Sequence, residues 1–296
     1  MAGIFTVGML PDDCLSAILS LTTPADVGKL SLISSAFRPA AESDVVWGRF
    51  LPENYARIIA ASDISDEVPF GSKREIFFRL CSPILIDGGK TSFELDKFSG
   101  KICYILSARE LGITWSSDPL CWSWKPHPES RFSEVAELRT VSWLEIHGRI
   151  RRQRLSPNTE YGAYLLVKIT ERAYGLDLMA AEVSVAVGNG GRISEGRVWL
   201  QRKQRKEEDL ESLFYGNRRE RVRNLMGTEE EEENNGIRGL KERDDGWFEI
   251  ELGEFMSGED DDDDDEEDVH MSLMEIRGFQ LKAGIIVEGI QIRPKN

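Results

Sequence analysis

The chain has 296 residues, is 41% hydrophobic and carries a formal net charge of −15 at neutral pH. Its length fits one large or two modest domains with a real core, and no run of about eighteen apolar residues predicts a membrane-spanning helix. Residues 229–233 and 259–268 supply five and ten acids; without them the balance is −15 + 15 = 0, so the acidity belongs to two loops.

The first thirteen residues lack a basic segment and a long enough apolar stretch for a secretory signal. Cys14, Cys81, Cys103 and Cys121 are scattered without a C-x-x-C pair. They read as buried free thiols in a reducing compartment.

Residues 10–51 carry three short helical patterns. Asp12 and Asp13 can cap a helix whose Leu15, Ile18 and Leu19 share a face. Thr23 then reads as an N-cap with Pro24 at the first helical position, and Asp26 makes a shortened capping box. Val27, Leu30, Ile33 and Phe37 supply the next apolar stripe, which Pro39 stops or restarts. Ser43 and Asp44 open a last pattern carrying Val45, Val46, Trp47, Phe50 and Leu51. Some forty residues cannot bury a sizeable core alone, so part of this apolar surface is expected to meet a partner.

Residues 53–72 read as a partly helical connector, and residues 73–81 as a short amphipathic helix stopped by Pro83. From about residue 84 the pattern changes to short strands between glycine-rich turns. The expected strands are residues 84–86, 103–106, 135–146, 161–170, 181–187, 197–200, 247–252, 271–276 and 285–292. No long helical pattern separates them, so an antiparallel sandwich or jelly roll is expected. Gly188, Asn189, Gly190 and Gly191 have hairpin-turn chemistry. Residues 202–220 read as a charged helix or loop, and residues 258–268 as a self-repelling disordered run.

Catalytic motifs are missing: there is no G-x-S-x-G, P-loop, H-E-x-x-H or dinucleotide fingerprint. His127, His147 and His270 lie far apart, and no metal or cofactor is expected. Trp115, Trp122 and Trp124 fall within ten residues in a Ser/Asp/Pro context. Their faces can stack on the C–H side of a sugar ring, or they can fill the core of a sandwich. The residues alone leave both readings open.

The order of landmarks adds to this. Leu10-Pro11, Ile18-Leu19, Thr23-Pro24, Asp26, Leu30-Ser31-Leu32, Phe37-Arg38 and Trp47 make residues 9–52 resemble an F-box. That resemblance implies docking on a Skp-family adaptor and, through it, a cullin-based SCF ubiquitin ligase. Leu10, Pro11, Ile18, Leu19 and Leu30 would contribute to the adaptor-facing surface. The stretch from Ala108 to Trp115, with Asp118-Pro119 and Trp122-Ser123-Trp124, resembles the opening of the Nictaba-type phloem lectin domain. The likeness continues through residues 134–139, 141–146, 148–150, 245–255, 274–276 and 284–290.

The whole chain resembles a plant F-box protein of the phloem-lectin-like class. The expected fold is α plus all-β in two domains: a three-helix F-box at 1–52, a connector at 53–83 and a jelly-roll-like antiparallel sandwich at 84–296. The resemblance implies a non-catalytic receptor of nucleus and cytoplasm that binds N-acetylglucosamine-containing glycans or glycoproteins. A protein-reading receptor without carbohydrate binding and a free-standing stress lectin are the alternatives. Trp115 and Trp122 fall on the family's motif tryptophans; Glu134 or Glu137 would accept sugar hydroxyls. Cys121 replaces the aromatic that commonly precedes the second tryptophan. The basic residues 202–206 lie where relatives can carry an import signal, but Gln204 and the following acids dilute it. Partners are thus an adaptor, a cullin through it and a glycan, with no membrane. No nucleic acid is expected either, because one short basic patch on an acidic chain releases few counterions.

Overall fold

Four helices, rather than three, occupy the N-terminal part: α1 (Asp12–Leu19), α2 (Pro24–Ile33), α3 (Phe37–Ala41) and α4 (Asp44–Phe50). The computed structural model describes residues 10–65, 71–188, 192–201, 238–258 and 267–295. Pro39 does not break a helix; it sits in the first turn of α3, where its missing N–H costs no hydrogen bond. The Thr23 hydroxyl accepts from the Asp26 N–H at 3.2 Å and donates to the Asp26 carboxylate at 2.8 Å. Ser43 caps α4 by accepting from the Val45 N–H. Pro11, not Asp12 or Asp13, holds the N-cap of α1, and both acids lie in its first turn.

Leu15, Leu19, Val27, Val46 and Trp47 form the inside of this bundle. The Trp47 indole N–H donates to the Ala41 carbonyl at 2.7 Å. Two further helices follow, α5 (Tyr55–Ala60) and α6 (Lys73–Leu80), the latter capped by Ser72. Phe77 of α6 is fully buried against the Trp47 ring, 5.2 Å away.

The remainder is a sandwich of two sheets. The strands are β1 (Ile84–Ile86), β2 (Thr91–Leu95), β3 (Ile102–Ser107), β4 (Gly112–Ile113), β5 (Trp122–Lys125), β6 (Val135–Leu138), β7 (Leu144–Arg151) and β8 (Glu160–Tyr174). They continue with β9 (Ala181–Val187), β10 (Arg192–Trp199), β11 (Arg238–Gly239), β12 (Lys241–Glu242), β13 (Phe248–Met256), β14 (Asp268–Glu275) and β15 (Ala283–Pro294). One sheet runs β1-β2-β3-β15-β8-β13-β12, with the β5–β6 hairpin also joined to β15. The other runs β11-β10-β9-β14-β7-β4. Among described strands only β10 and β11 pair in parallel.

Most expected strands are present, but residues 135–146 are not one strand. β6 pairs with β15 in the first sheet and β7 with β14 in the second, so the chain crosses between layers at residues 139–143. The N–H of Arg139 donates to the Cys121 carbonyl at 2.8 Å at the start of that crossing. β2, β4, β5, β11 and β12 are additional. β9 and β10 are antiparallel neighbours around the glycine-rich turn, whose residues 189–191 lie outside the described residues. The expected charged segment, the basic cluster and the acids 229–233 also lie outside them. The acidic run is shorter than its composition suggests: Asp268 opens β14 and Glu267 pairs with Arg152 at 2.6 Å. All four cysteines are free, yet only Cys103 is buried and Cys14 is exposed. Among the described residues no helix is long and apolar enough to cross a membrane.

Helices and sandwich share one hydrophobic core, in which Phe77 and Leu80 of α6 belong with Ile84, Phe93 and Leu95. The turn at residues 96–100 touches the helices, its Phe98 carbonyl accepting from the Ala25 N–H. Gly100 takes φ +74° there, and a Cβ would press on Pro24 and Phe50. β15 runs away from the opposite end of the sandwich: Ala283 pairs with Tyr174, and Pro294 with Tyr161. Its 12 residues span roughly 40 Å at ~3.3 Å each. The loops holding Trp115, Trp143 and residues 276–282 therefore lie at the far end from the helices.

Candidate functional site

Two surfaces carry the predicted residues. On the helices, Leu10 and Ile18 are 41% and 43% exposed, and Pro11 is exposed beside them. Leu19 is fully buried and Leu30 is half-buried against the core, so these two hold the bundle together. Other apolar side chains outside the predicted set also face solvent: Leu21, Leu32, Ile33 and Val45, Leu32 at 83%. The periodic reading placed Ile33 on the inner stripe. The amphipathic pattern of so short a helix does not fix which side is covered.

At the far end, Trp122 and Trp115 separate. Trp122 is 2% exposed and pairs with Leu138, facing the core; Trp115 is 46% exposed. Trp115 has φ +58°, a backbone state that a bulky side chain adopts only under constraint. The constraint comes from its neighbours. The Trp122 indole N–H donates to the Thr114 carbonyl at 3.1 Å, and the Trp124 N–H to the Ser116 carbonyl at 2.9 Å. Asp118 closes the turn, its N–H donating to the Trp115 carbonyl. Two indoles thus clamp the residues on either side of a third and hold it out in solvent.

The predicted acids do not join this group. Glu137 faces Ser123 across the hairpin while Trp122 faces Leu138, so the two point to opposite sides. Glu137 is engaged by Lys125 at 2.7 Å. Glu134 is taken by Arg109 at 2.6 Å, and that guanidinium lies 3.7 Å over the Trp124 ring.

A different acid lies beside the clamp. β4 pairs with β7 so that Ile113 faces Ile146, and the Thr114 N–H donates to the Glu145 carbonyl. Oε2 of Glu145 accepts from the Thr114 hydroxyl at 3.0 Å and from the Trp143 indole N–H at 3.2 Å. Oε1 lies 2.8 Å from Nε2 of His147. These bonds, that from His147 foremost, hold the Glu145 carboxyl below its ordinary value against the effect of burial. Trp143 is itself 44% exposed. Sequence reading passed over Glu145 because only the pairing of β4 with β7 brings it to Thr114.

Apolar side chains also stand out at this end, Phe279 at 98% exposure with Leu281 and Ile276. Their loop is fixed from inside. The Lys282 ammonium pairs with Glu275 and donates to the carbonyls of Ser142, Gly278 and Gln280. Burial pushes it down to about 8, so it stays charged at neutral pH.

Among the described residues no group of three or more His, Cys, Asp or Glu side chains could hold a metal ion. A polar recess on the first sheet is lined by residues 241–245, Glu249 and Arg293. Its Arg243 and Arg293 are occupied by Glu249 and Gln291.

Residues 101–294 match the family described as phloem protein 2. F-box protein PP2-B15 of Arabidopsis thaliana is 49% identical over 287 residues, which cover 97% of this chain and 96% of that protein. F-box protein PP2-B13 of the same plant is 48% identical, covering 97% and 98%. F-box protein VBF, also from Arabidopsis thaliana, is 47% identical, covering 97% and 99%.

Proposed function

This chain belongs to the plant F-box proteins with a phloem protein 2 domain, and we propose that it is a substrate-recognition subunit of an SCF-type ubiquitin ligase whose sandwich reads glycans. It supplies no catalytic group; transfer of ubiquitin belongs to the other subunits. The helices dock on a Skp-family adaptor, which links them to the cullin, and Leu10, Pro11 and Ile18 with Leu21, Leu32 and Ile33 form the docking surface. Exposed apolar groups on so small a helical module are suited to such a partner. The receptor works in the nucleus and cytoplasm.

One observation carries the glycan reading: Trp115 is displayed at positive φ by two indole donors. Holding a large aromatic in solvent costs free energy, and a sugar ring's C–H face would offset it on binding. Trp122 serves by holding the loop and not by stacking. N-acetylglucosamine-containing glycans, free or on a glycoprotein, are the proposed ligands. The test is a glycan array probed with the full chain and with Trp115→Ala. Binding to such glycans that disappears in the folded variant supports the reading; an array on which the folded, multivalent parent binds nothing overturns it.

A second reading keeps the receptor but replaces the glycan with a protein surface. Phe279, Leu281 and Ile276 at the same end favour it, since a fixed loop loses little entropy on docking.

A further inference from the structure

Three carboxylates lie near the indoles at this end, and they differ in whether an acceptor position is open. Glu134 and Glu137 are each held by a cation, Arg109 and Lys125. Glu145 is engaged differently. Thr114 and Trp143 both donate to its Oε2, while Oε1 receives the single bond from His147. A carboxylate accepts about four hydrogen bonds, so one position on Oε1 is open, and the side chain is 24% exposed. Because a carboxylate only accepts, His147 must present its Nε2–H to it.

We infer that Glu145 and Trp143 form the sugar-gripping edge with Trp115, and that the ligand is a neutral saccharide whose hydroxyl or amide N–H donates to Glu145 Oε1. The inference rests on the glycan reading above and assigns its acceptor. Trp143 bonds to the carboxylate directly, and Trp115 is the chain neighbour of Thr114, whose hydroxyl also bonds to it. The Trp143 indole N–H is occupied by Glu145, and those of Trp122 and Trp124 fix the backbone on either side of Trp115, so the Trp143 ring and the Trp115 loop are held before any ligand arrives. Across the sheet, Glu145 stands opposite Met274, and beyond it Glu182 is paired with Arg277 at 2.8 Å. The neighbouring acid is thus neutralised, while Glu145 is left with a histidine and two neutral donors. Sulfated or uronic-acid sugars would meet an uncompensated negative charge and are disfavoured.

The experiment uses the full chain on an array of printed chito-oligosaccharides beside their sulfated counterparts. Glu145→Gln and Trp143→Leu are compared with the parent, Trp115→Ala and Glu134→Gln, each with its melting temperature. Expected are losses of about tenfold or more for Glu145→Gln and Trp143→Leu on neutral ligands, with Glu134→Gln at parental affinity. Glu145→Gln should also narrow the preference for neutral over sulfated sugar, which a purely structural role would not move. Should Glu145→Gln unfold the edge, Trp143→Leu decides. If Trp115→Ala abolishes binding while Trp143→Leu and Glu145→Gln bind like the parent, the inference fails and the glycan reading stands. If the folded parent binds no glycan, both fall.

Discussion

Trp115 and Trp122 show how two identical side chains seven positions apart take opposite roles. Trp122 is 2% exposed, with its N–H on a backbone carbonyl. Trp122→Ala should therefore cost ~3–5 kcal/mol as a buried aromatic truncation. Trp122→Phe keeps most of the volume but leaves the Thr114 carbonyl without its donor, at about 1–3 kcal/mol. Trp115→Ala should change stability by less than about 0.5 kcal/mol, as for exposed positions. Urea denaturation of the three variants checks this order; a Trp115→Ala loss as large as that of Trp122→Ala would remove the clamp argument. Composition marked both tryptophans as candidates but could not part them. The difference lies in strand register, which sets Trp122 opposite Leu138 and Ser123 opposite Glu137. A period of two decides which face an acid takes only once the partner strand is known. Glu145 was illegible for the same reason, its neighbour Thr114 being 31 residues away in the chain.

Among the elements, the caps were the most legible, because they are local. Thr23 and Ser43 each open a helix where their spacing puts them, whereas Pro11 stands at the cap expected of Asp12 or Asp13, and Ser72, which the pattern did not single out, caps α6. The burial of a short helix was less so: Leu32 and Ile33 close α2 and both face outward, at 83% and 78%. Leu32→Asp with Ile33→Asp should leave the melting temperature near the parent's, because neither side chain is covered. The same pair should abolish co-purification with a Skp-family adaptor, and retained co-purification would move the docking surface elsewhere. On the first sheet, Glu249 of β13 offers a pH test. Burial raises its carboxyl, but the bond and charge of Arg293, with Lys241, bring it below its ordinary 4.5. A carboxyl lowered by folding adds stability above its unfolded value, and that stability is lost as pH falls through the folded value. The urea midpoint should thus drop as pH falls below the ordinary 4.5 of this carboxyl. Glu249→Gln should be less stable at neutral pH and lose less across that window; an equal loss would place the acid sensitivity in other groups.

At the scale of the whole molecule, the two-part organisation was legible and the junction was not. The change from helical to strand pattern near residue 84 is visible in the spacing of apolar residues, whereas a shared core has no local signature. α6 is the reason: Phe77 and Leu80 are fully buried between Trp47 on one side and the strands holding Ile84, Phe93 and Leu95 on the other. The turn at residues 96–100 adds a second attachment through Ala25. This packing sets the helix face and the far-end loops at opposite ends of one sandwich, along which β15 runs. Phe77→Ala should then cost ~3–5 kcal/mol and lower the transition of helices and sandwich together. Six of the seven tryptophans lie in the sandwich and the helices dominate far-ultraviolet circular dichroism, so fluorescence and dichroism can report the two parts separately. Coincident transitions in the parent, both shifted by Phe77→Ala, are the expected outcome for one cooperative unit. If only the dichroism transition moves, the helices unfold independently and the core contact does not couple the two surfaces. A fragment starting at residue 84 should also be less stable than the intact chain, because it uncovers Ile84, Phe93 and Leu95, so glycan measurements belong on the full protein.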